Sequence, residues 1–177
     1  MLAAALSLAW WVNELTQPEV KKRRVARDTP DSYAQELLVK RYDESGRLFQ
    51  TLRAPRMEHF DKSGITELTQ PVVRQYSVDK PPWIMRAERG VAKRREETLY
   101  LPGRVVIDRD AKGDIAPYHI VTEDLTLEMR NSFASTSRAV DIESGQQRVS
   151  ALGMQAWFDE PPRLKLLHQV RGHYEFK

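Results

Sequence analysis

The feature that most constrains this fold is a weak internal repeat in which apolar and polar residues alternate. Four valines mark it, at spacings of roughly 30 to 35 residues: Val72, Val105, Val140 and Val170. When apolar and polar residues alternate with a period of two, a β-strand has one apolar face and one solvent-exposed polar face. A repeat of this length is typical of layered β architectures rather than of mixed enzyme folds. The pattern therefore predicts an all-β protein with an apolar face running along the molecule.

Polar turn segments separate the alternating runs from residue 32 onward. Gly46 and Gly145 end two of these segments, where hairpins favour a residue with positive φ. The pairs Pro81-Pro82 and Pro161-Pro162 are expected to exclude central strands. No later segment carries a helical 3.6-residue apolar stripe. We predict a membrane anchor over 1–13, a linker over 14–31 and one domain of antiparallel strands over 32–177.

The first residues differ in composition from the rest of the chain. Residues 2–12 carry no charge and end in a pair of tryptophans, as membrane-interface segments do. A helix of this length spans about 17 Å, short of the roughly 30 Å hydrocarbon core. It is interpreted as an anchor that continues upstream, as a partial or interfacial anchor, or as a buried helix of a soluble protein. The first interpretation is preferred, with these anchor residues: Leu2, Leu6, Leu8, Trp10 and Trp11.

Composition and motifs argue against several classes of function. The chain has no cysteine, which excludes disulfides, thiolate nucleophiles and cysteine-based metal sites. Its 28 Lys and Arg against 25 Asp and Glu leave a net charge of only +3. The overall charge therefore does not indicate electrostatic attraction of nucleic acid. The 4 histidines lack metal-binding spacing, and no P-loop, dinucleotide or nucleophile-elbow motif is present. We therefore expect no enzyme activity, no cofactor, no metal and no nucleic-acid partner.

Short segments, in this order along the chain, resemble the periplasmic domain of the lipopolysaccharide-export LptC family. They are RYDESGRL (41–48), RMEHF (56–60), ELTQPV (67–72), LYLPGRV (99–105), VTEDL (121–125) and LHQVRGHY (167–174). The related soluble bridge family LptA shares the repeat. The hydrophobic start without a cleavage site and the V-R-G-x-Y ending favour LptC.

The resemblance implies a twisted open β-jellyroll on a single-pass inner-membrane anchor, with the main domain in the periplasm. Such a protein receives lipopolysaccharide from the LptB-LptF-LptG ABC transporter, expected at the N-terminal edge and anchor. It passes the lipid to the periplasmic bridge protein LptA, expected at the C-terminal edge. The acyl chains of lipid A occupy the jellyroll interior. The alternative is a protein-binding β scaffold with a closed core and no lipid ligand.

Alternation together with this resemblance gives two sets of candidate site residues. The predicted lipid-binding interior consists of Leu37, Val39, Leu48, Leu52, Leu68, Met85, Leu101, Val105, Leu125, Leu127, Ile142, Leu164 and Tyr174. The predicted partner interface consists of Tyr33, Gly46, Gly145, Val170, Gly172 and Tyr174.

Overall fold

The computed structural model describes residues 29–93, 97–159 and 161–173, in which every helix-or-strand element is a β-strand. The strands are β1 (Ser32–Tyr42), β2 (Leu48–Phe60), β3 (Ile65–Thr69), β4 (Val72–Ser77), β5 (Lys80–Ala87), β6 (Arg89–Lys93), β7 (Thr98–Arg109), β8 (Tyr118–Glu128), β9 (Phe133–Ser144), β10 (Gln147–Trp157) and β11 (Arg163–His173). The predicted anchor over 1–13 and most of the predicted linker lie outside the described residues. In the described part of the chain no helix has the length and apolarity needed to cross a membrane.

The strands form an antiparallel meander in which chain neighbours are sheet neighbours. β3 and β4 lie end to end and together take one strand position in the sheet, because both pair with β2. β5 and β6 together take the next position. They pair with β4 and β3 on one side, and both pair with β7 on the other. From β7 to β11 each strand pairs with the next. The prediction of an all-β, antiparallel protein is confirmed.

A line of irregular residues crosses the sheet near the middle of the long strands. The φ angle is positive at Glu36 in β1, Gly103 in β7, Asp124 in β8, Gly153 in β10 and Gln169 in β11. The pairing register slips beside the last four of these. Bulges of this kind bend a strand and increase its twist. We call this line the crease.

The crease divides the sheet into two arms. Each arm is named after the two strands that lie entirely within it. The β4–β5 arm comprises 37–42, 48–54, 72–77, 80–87, 104–109, 118–123, 139–144, 147–152 and 170–173. The β3–β6 arm comprises 32–35, 56–60, 65–69, 89–93, 98–101, 125–128, 133–136, 154–157 and 163–168.

A continuous apolar core fills the space between the arms. Met85, Val105 and Ile107 enter it from the β4–β5 arm, while Leu101 and Leu125 enter it from the β3–β6 arm. Each of these side chains is at most 2% exposed. Full burial of a side chain of this size contributes about 1.5–3 kcal/mol, so the contact between the arms is a main source of stability.

Pro81 and Pro82 lie inside the central strand β5, contrary to the sequence-based expectation. The register between β4 and β5 slips beside them, from the Gln75–Trp83 pair to the Ser77–Lys80 pair. On the other side, pairing with β7 begins only at Ile84. Because proline has no N–H to donate, the sheet accommodates it where the pairing is interrupted.

Candidate functional site

A row of directly paired apolar residues crosses the β4–β5 arm from the terminal strand β1 to β10. Its members, strand by strand, are Val39, Leu52, Val73, Met85, Ile107, Ile120, Ile142 and Val149. Opposed residues in an antiparallel pair share a face of the sheet, so the row is continuous on the interior side. We call it the cross-strand row. It lies perpendicular to the strands and runs from the edge at β1 toward the edge at β11.

A second apolar row crosses part of the facing arm. Its members are Leu164, Ala156, Ala134, Leu127, Leu99 and Ala92. Apart from Val39 and Leu164 on the terminal strands, the members of both rows belong to one apolar cluster. The interior is therefore an apolar strip with a wall on each arm rather than a single point-like pocket.

All predicted interior residues that the structure describes lie on this inner face, at different depths. The buried ones are Leu68, Met85, Leu101, Val105, Leu125, Leu127 and Ile142, none more than 6% exposed. Leu37, Leu48 and Leu52 are half-buried. Val39 and Leu164, on the terminal strands, are 39% and 42% exposed. Tyr174 lies outside the described residues, and the binding of lipid by this set stays a prediction.

The sequence-based set leaves out several interior side chains. Trp83, Ile120, Met154 and Phe158 are buried and belong to the same cluster. Ile120 could have been found from its two-residue spacing to Thr122, which is also buried. Phe158 could not, because it follows the last residue of β10, where no alternation applies.

The predicted partner residues lie in separate places. Tyr33 is exposed on β1, and Val170 and Gly172 are exposed on β11. Gly46 and Gly145 lie in the turns after β1 and β9 with φ of +78° and +61°. Each terminal strand pairs with a single described neighbour, β2 or β10, so both leave a row of backbone groups unpaired by the described sheet.

Asp124 joins three strands at the crease. Its carboxylate accepts hydrogen bonds from the Gly103 backbone N–H at 2.9 Å, the Tyr100 hydroxyl at 3.2 Å and the Arg138 Nε at 2.7 Å. The Gly103 N–H and then the Arg138 guanidinium hold the pKa of the Asp124 carboxyl below its ordinary value. Burial first, and then the bond to Asp124, raise the pKa of Tyr100. The carboxylate thus links β7, β8 and β9 at the crease.

Opposite the crease the two arms meet along a second line of contacts, which we call the rim. Gln75 Nε2 in β4 donates to Ser132 Oγ, which precedes β9, at 3.3 Å. Gln50 Nε2 donates to Gln75 Oε1 at 2.9 Å. Farther along, the rings of Trp83 and Phe158 pack edge to face with centroids 5.5 Å apart. These contacts close the interior with polar side chains at one place and aromatic rings at the other.

The described residues contain no group of three or more His, Asp or Glu side chains arranged to hold a metal ion. The continuous feature is instead an apolar strip between two arms, bounded by two terminal strands. A fold of this kind defines a class of β proteins suited to binding an apolar ligand or adding a partner strand.

The comparison with protein families gives the particular family. The family model "LptC: Lipopolysaccharide-assembly, LptC-related" matches residues 1–175. The chain therefore belongs to the LptC family, and the resemblance seen in the sequence is confirmed. It is involved in lipopolysaccharide transport, and LptC is not a known enzyme family. No individual curated protein matches the chain.

Proposed function

We propose that this protein binds the acyl chains of lipopolysaccharide along the strip between its arms. In this proposal it is anchored in the inner membrane with its β domain in the periplasm. It receives the lipid from the LptB-LptF-LptG transporter and passes it to LptA. The observation that supports this most is the cross-strand row, which continues from Val39 at one edge to Val149 beside the other.

The energetics of acyl-chain transfer favour a continuous strip over a single pocket. Exposing one CH₂ group to water costs about 0.8 kcal/mol, so several acyl chains cannot cross an aqueous gap without protection. Along the cross-strand row each step exchanges one buried apolar contact for a similar one. A lipid can therefore advance from strand to strand with little change in free energy.

The terminal strands fit the proposed partners. β1 and β11 each have one described neighbour, and an unpaired strand edge is a template for adding a partner strand. Val170 on β11 is 54% exposed, which leaves an apolar contact for an added strand. We assign β11 to the bridge protein and β1 to the transporter, so the strips of successive proteins join end to end.

Site-specific photo-crosslinking tests the interior assignment. A photoreactive residue at Leu68 or Leu164 should capture lipopolysaccharide, because both lie on the inner face. Leu38 is the matched control: it is 43% exposed, close to the 42% of Leu164, but pairs with the exposed Arg53. Lys112 in the turn after β7 is a second control. Equal capture at all four positions would refute the inner-face assignment.

A deletion tests the direction of transfer. Removing residues 170–177 shortens β11 and should abolish binding of the bridge protein while leaving transporter binding intact. A pull-down in which the deletion variant still retains the bridge protein would reverse the proposed polarity.

The competing function is a protein-binding scaffold without lipid, and the packing gives it specific support. Leu101, Val105 and Leu125 are inaccessible to solvent, so the interior is filled by its own side chains. Native mass spectrometry with lipid A, compared with a phospholipid, separates the two functions. A lipid A adduct that the phospholipid does not form supports the carrier, whereas a folded protein without an adduct supports the scaffold.

A further inference from the structure

An apolar cavity lies at the rim, between the two arms. Its volume is about 180 Å³, and its walls include Trp83, Ile107 and Tyr118 from one arm and Met154, Trp157 and Leu164 from the other. An apolar cavity of about 150 Å³ is large enough for a benzene molecule, so this one has room for several methylene groups. Ile107 also belongs to the cross-strand row, so the cavity adjoins the strip.

The same cavity is lined by two arginines, Arg109 and Arg163. The Arg109 guanidinium carbon lies 4.6 Å from the Trp83 ring centroid and 4.8 Å from that of Tyr118. The Arg163 guanidinium lies 5.1 Å from the Trp157 ring centroid. Stacking of this kind holds a guanidinium in place by cation–π attraction while leaving its N–H donors available.

The donors of Arg109 are incompletely used. Its Nε is buried without a hydrogen-bond partner among the described residues, and its terminal nitrogen reaches the Ala116 carbonyl only at 3.4 Å. In the described parts of the chain neither guanidinium forms an ion pair with a carboxylate. A buried donor without a partner is costly, so the arrangement favours an anionic ligand that supplies the acceptors.

We propose that this rim cavity binds a phosphorylated acyl lipid, with hydrocarbon in the cavity and phosphate on Arg109 and Arg163. The inference rests on the proposed function and specifies where along the strip the charged end of the lipid is recognised. Arginine suits this role because its planar fork of donors matches phosphate oxygens in pairs. The phosphate remains at the rim while the acyl chains reach the cross-strand row.

Equilibrium binding of two lipids to the full chain in detergent tests the proposal. The probes are lipid A carrying its phosphates and the same lipid after dephosphorylation. The variants are Arg109→Gln and Arg163→Gln, with Arg104→Gln as the control, because Arg104 is exposed on the same strand as Arg109 but does not line the cavity. Each cavity variant should weaken binding of phosphorylated lipid A by about tenfold, the scale of one charge-assisted hydrogen bond.

The dephosphorylated lipid should bind wild type more weakly and be insensitive to all three substitutions. Should Arg109→Gln fail to fold, the exposed Arg163 decides the result. Equal affinity of wild type for both lipids would overturn the phosphate subsite while leaving lipid carriage intact. If inorganic phosphate bound as tightly as lipid A, the cavity would be a site for free anions, and its assignment to a lipid headgroup would be overturned. Binding of neither lipid to wild type would refute the proposed function and the subsite with it.

Discussion

Replacing Gly153 by alanine tests whether the crease depends on local backbone conformation. Gly153 lies in β10 with φ of +83°, where the register to β9 slips; the register to β11 slips just before it, between Ser150 and Leu152. An added Cβ would lie 3.0 Å from Leu167 Cδ1 and 3.3 Å from Leu167 Cβ. The substitution therefore combines a backbone penalty with a contact penalty at the line where the two arms join.

The two penalties can be sized separately. The left-handed conformation costs a residue with a Cβ about 1–2 kcal/mol. Turning Leu167 away from its preferred rotamer costs about 0.5–1.5 kcal/mol more. We expect Gly153→Ala to lower the free energy of unfolding by about 2–3 kcal/mol, a large part of the roughly 5–15 kcal/mol that domains possess.

Gly145→Ala is the matched control, because Gly145 has φ of +61° and open space where the Cβ would stand. It should show the backbone penalty alone, about 1–2 kcal/mol. Urea unfolding monitored by far-ultraviolet circular dichroism gives both values. At about 2–4 °C of melting temperature per kcal/mol for a domain of this size, a thermal scan provides a second measurement. A loss at Gly153 no larger than the loss at Gly145 would refute the contact argument.

Two further predictions concern the core and the first hairpin. Leu101→Ala should destabilise the protein by about 2–5 kcal/mol, because the Leu101 side chain is inaccessible to solvent. Val170 is exposed, so Val170→Ala should change stability by less than about 0.5 kcal/mol. Comparable shifts in the melting temperature of the two variants would contradict the assigned interior. In the turn after β1, hydrogen bonds from the Ser45 side chain and then the Arg47 N–H lower the pKa of Asp43 from 3.8 to about 2. Because the folded-state pKa is depressed, this carboxylate stabilises the fold above about pH 4, and the contribution disappears as the pH falls toward 2. Asp43→Asn should therefore flatten that part of an acid-unfolding curve. An unchanged curve would exclude a stabilising role for the Asp43 carboxylate.

The sequence predicted the strands and their inner face because both follow from two-residue alternation. It did not predict where that face changes register. In β8 the buried side chains are Ile120 and Thr122 before the crease, but Leu125 and Leu127 after it. Across the crease β8 advances by one residue fewer than β7 on one side and β9 on the other. The buried side chains therefore change parity next to Asp124, whose φ is positive. This change of parity is visible in the sequence once a bulge is considered.

The rim and its cavity could not be predicted from local patterns. Gln75 and Ser132 are far apart in the sequence and meet only because both arms bend at the crease. Arg109 ends an alternating strand and resembles any exposed terminal residue until Trp83 and Tyr118 are placed beside its guanidinium. Contacts of this kind depend on the relative position of the arms, which no short segment of sequence specifies.

The packing of the interior leads to a final prediction about motion. Outside the rim cavity the side chains of the strip already fill it, so a whole acyl chain gains room only when the arms separate at the rim. The variant Gln75→Cys/Ser132→Cys tests this, because the chain has no other cysteine and the two native side chains lie 3.3 Å apart. A short bifunctional maleimide that links the two thiols should abolish lipid A binding.

The matched control is the same variant capped at both thiols with a monofunctional maleimide, which should still bind because its arms remain free to separate. The two preparations differ only in the covalent link between the arms, so a change in fold or charge cannot explain a difference. Equal lipid A binding by both would show that the rim need not open. The acyl chains would then have to enter at the two ends of the strip, at β1 and at β11. The edges of these two strands would then serve both for partner docking and for lipid entry.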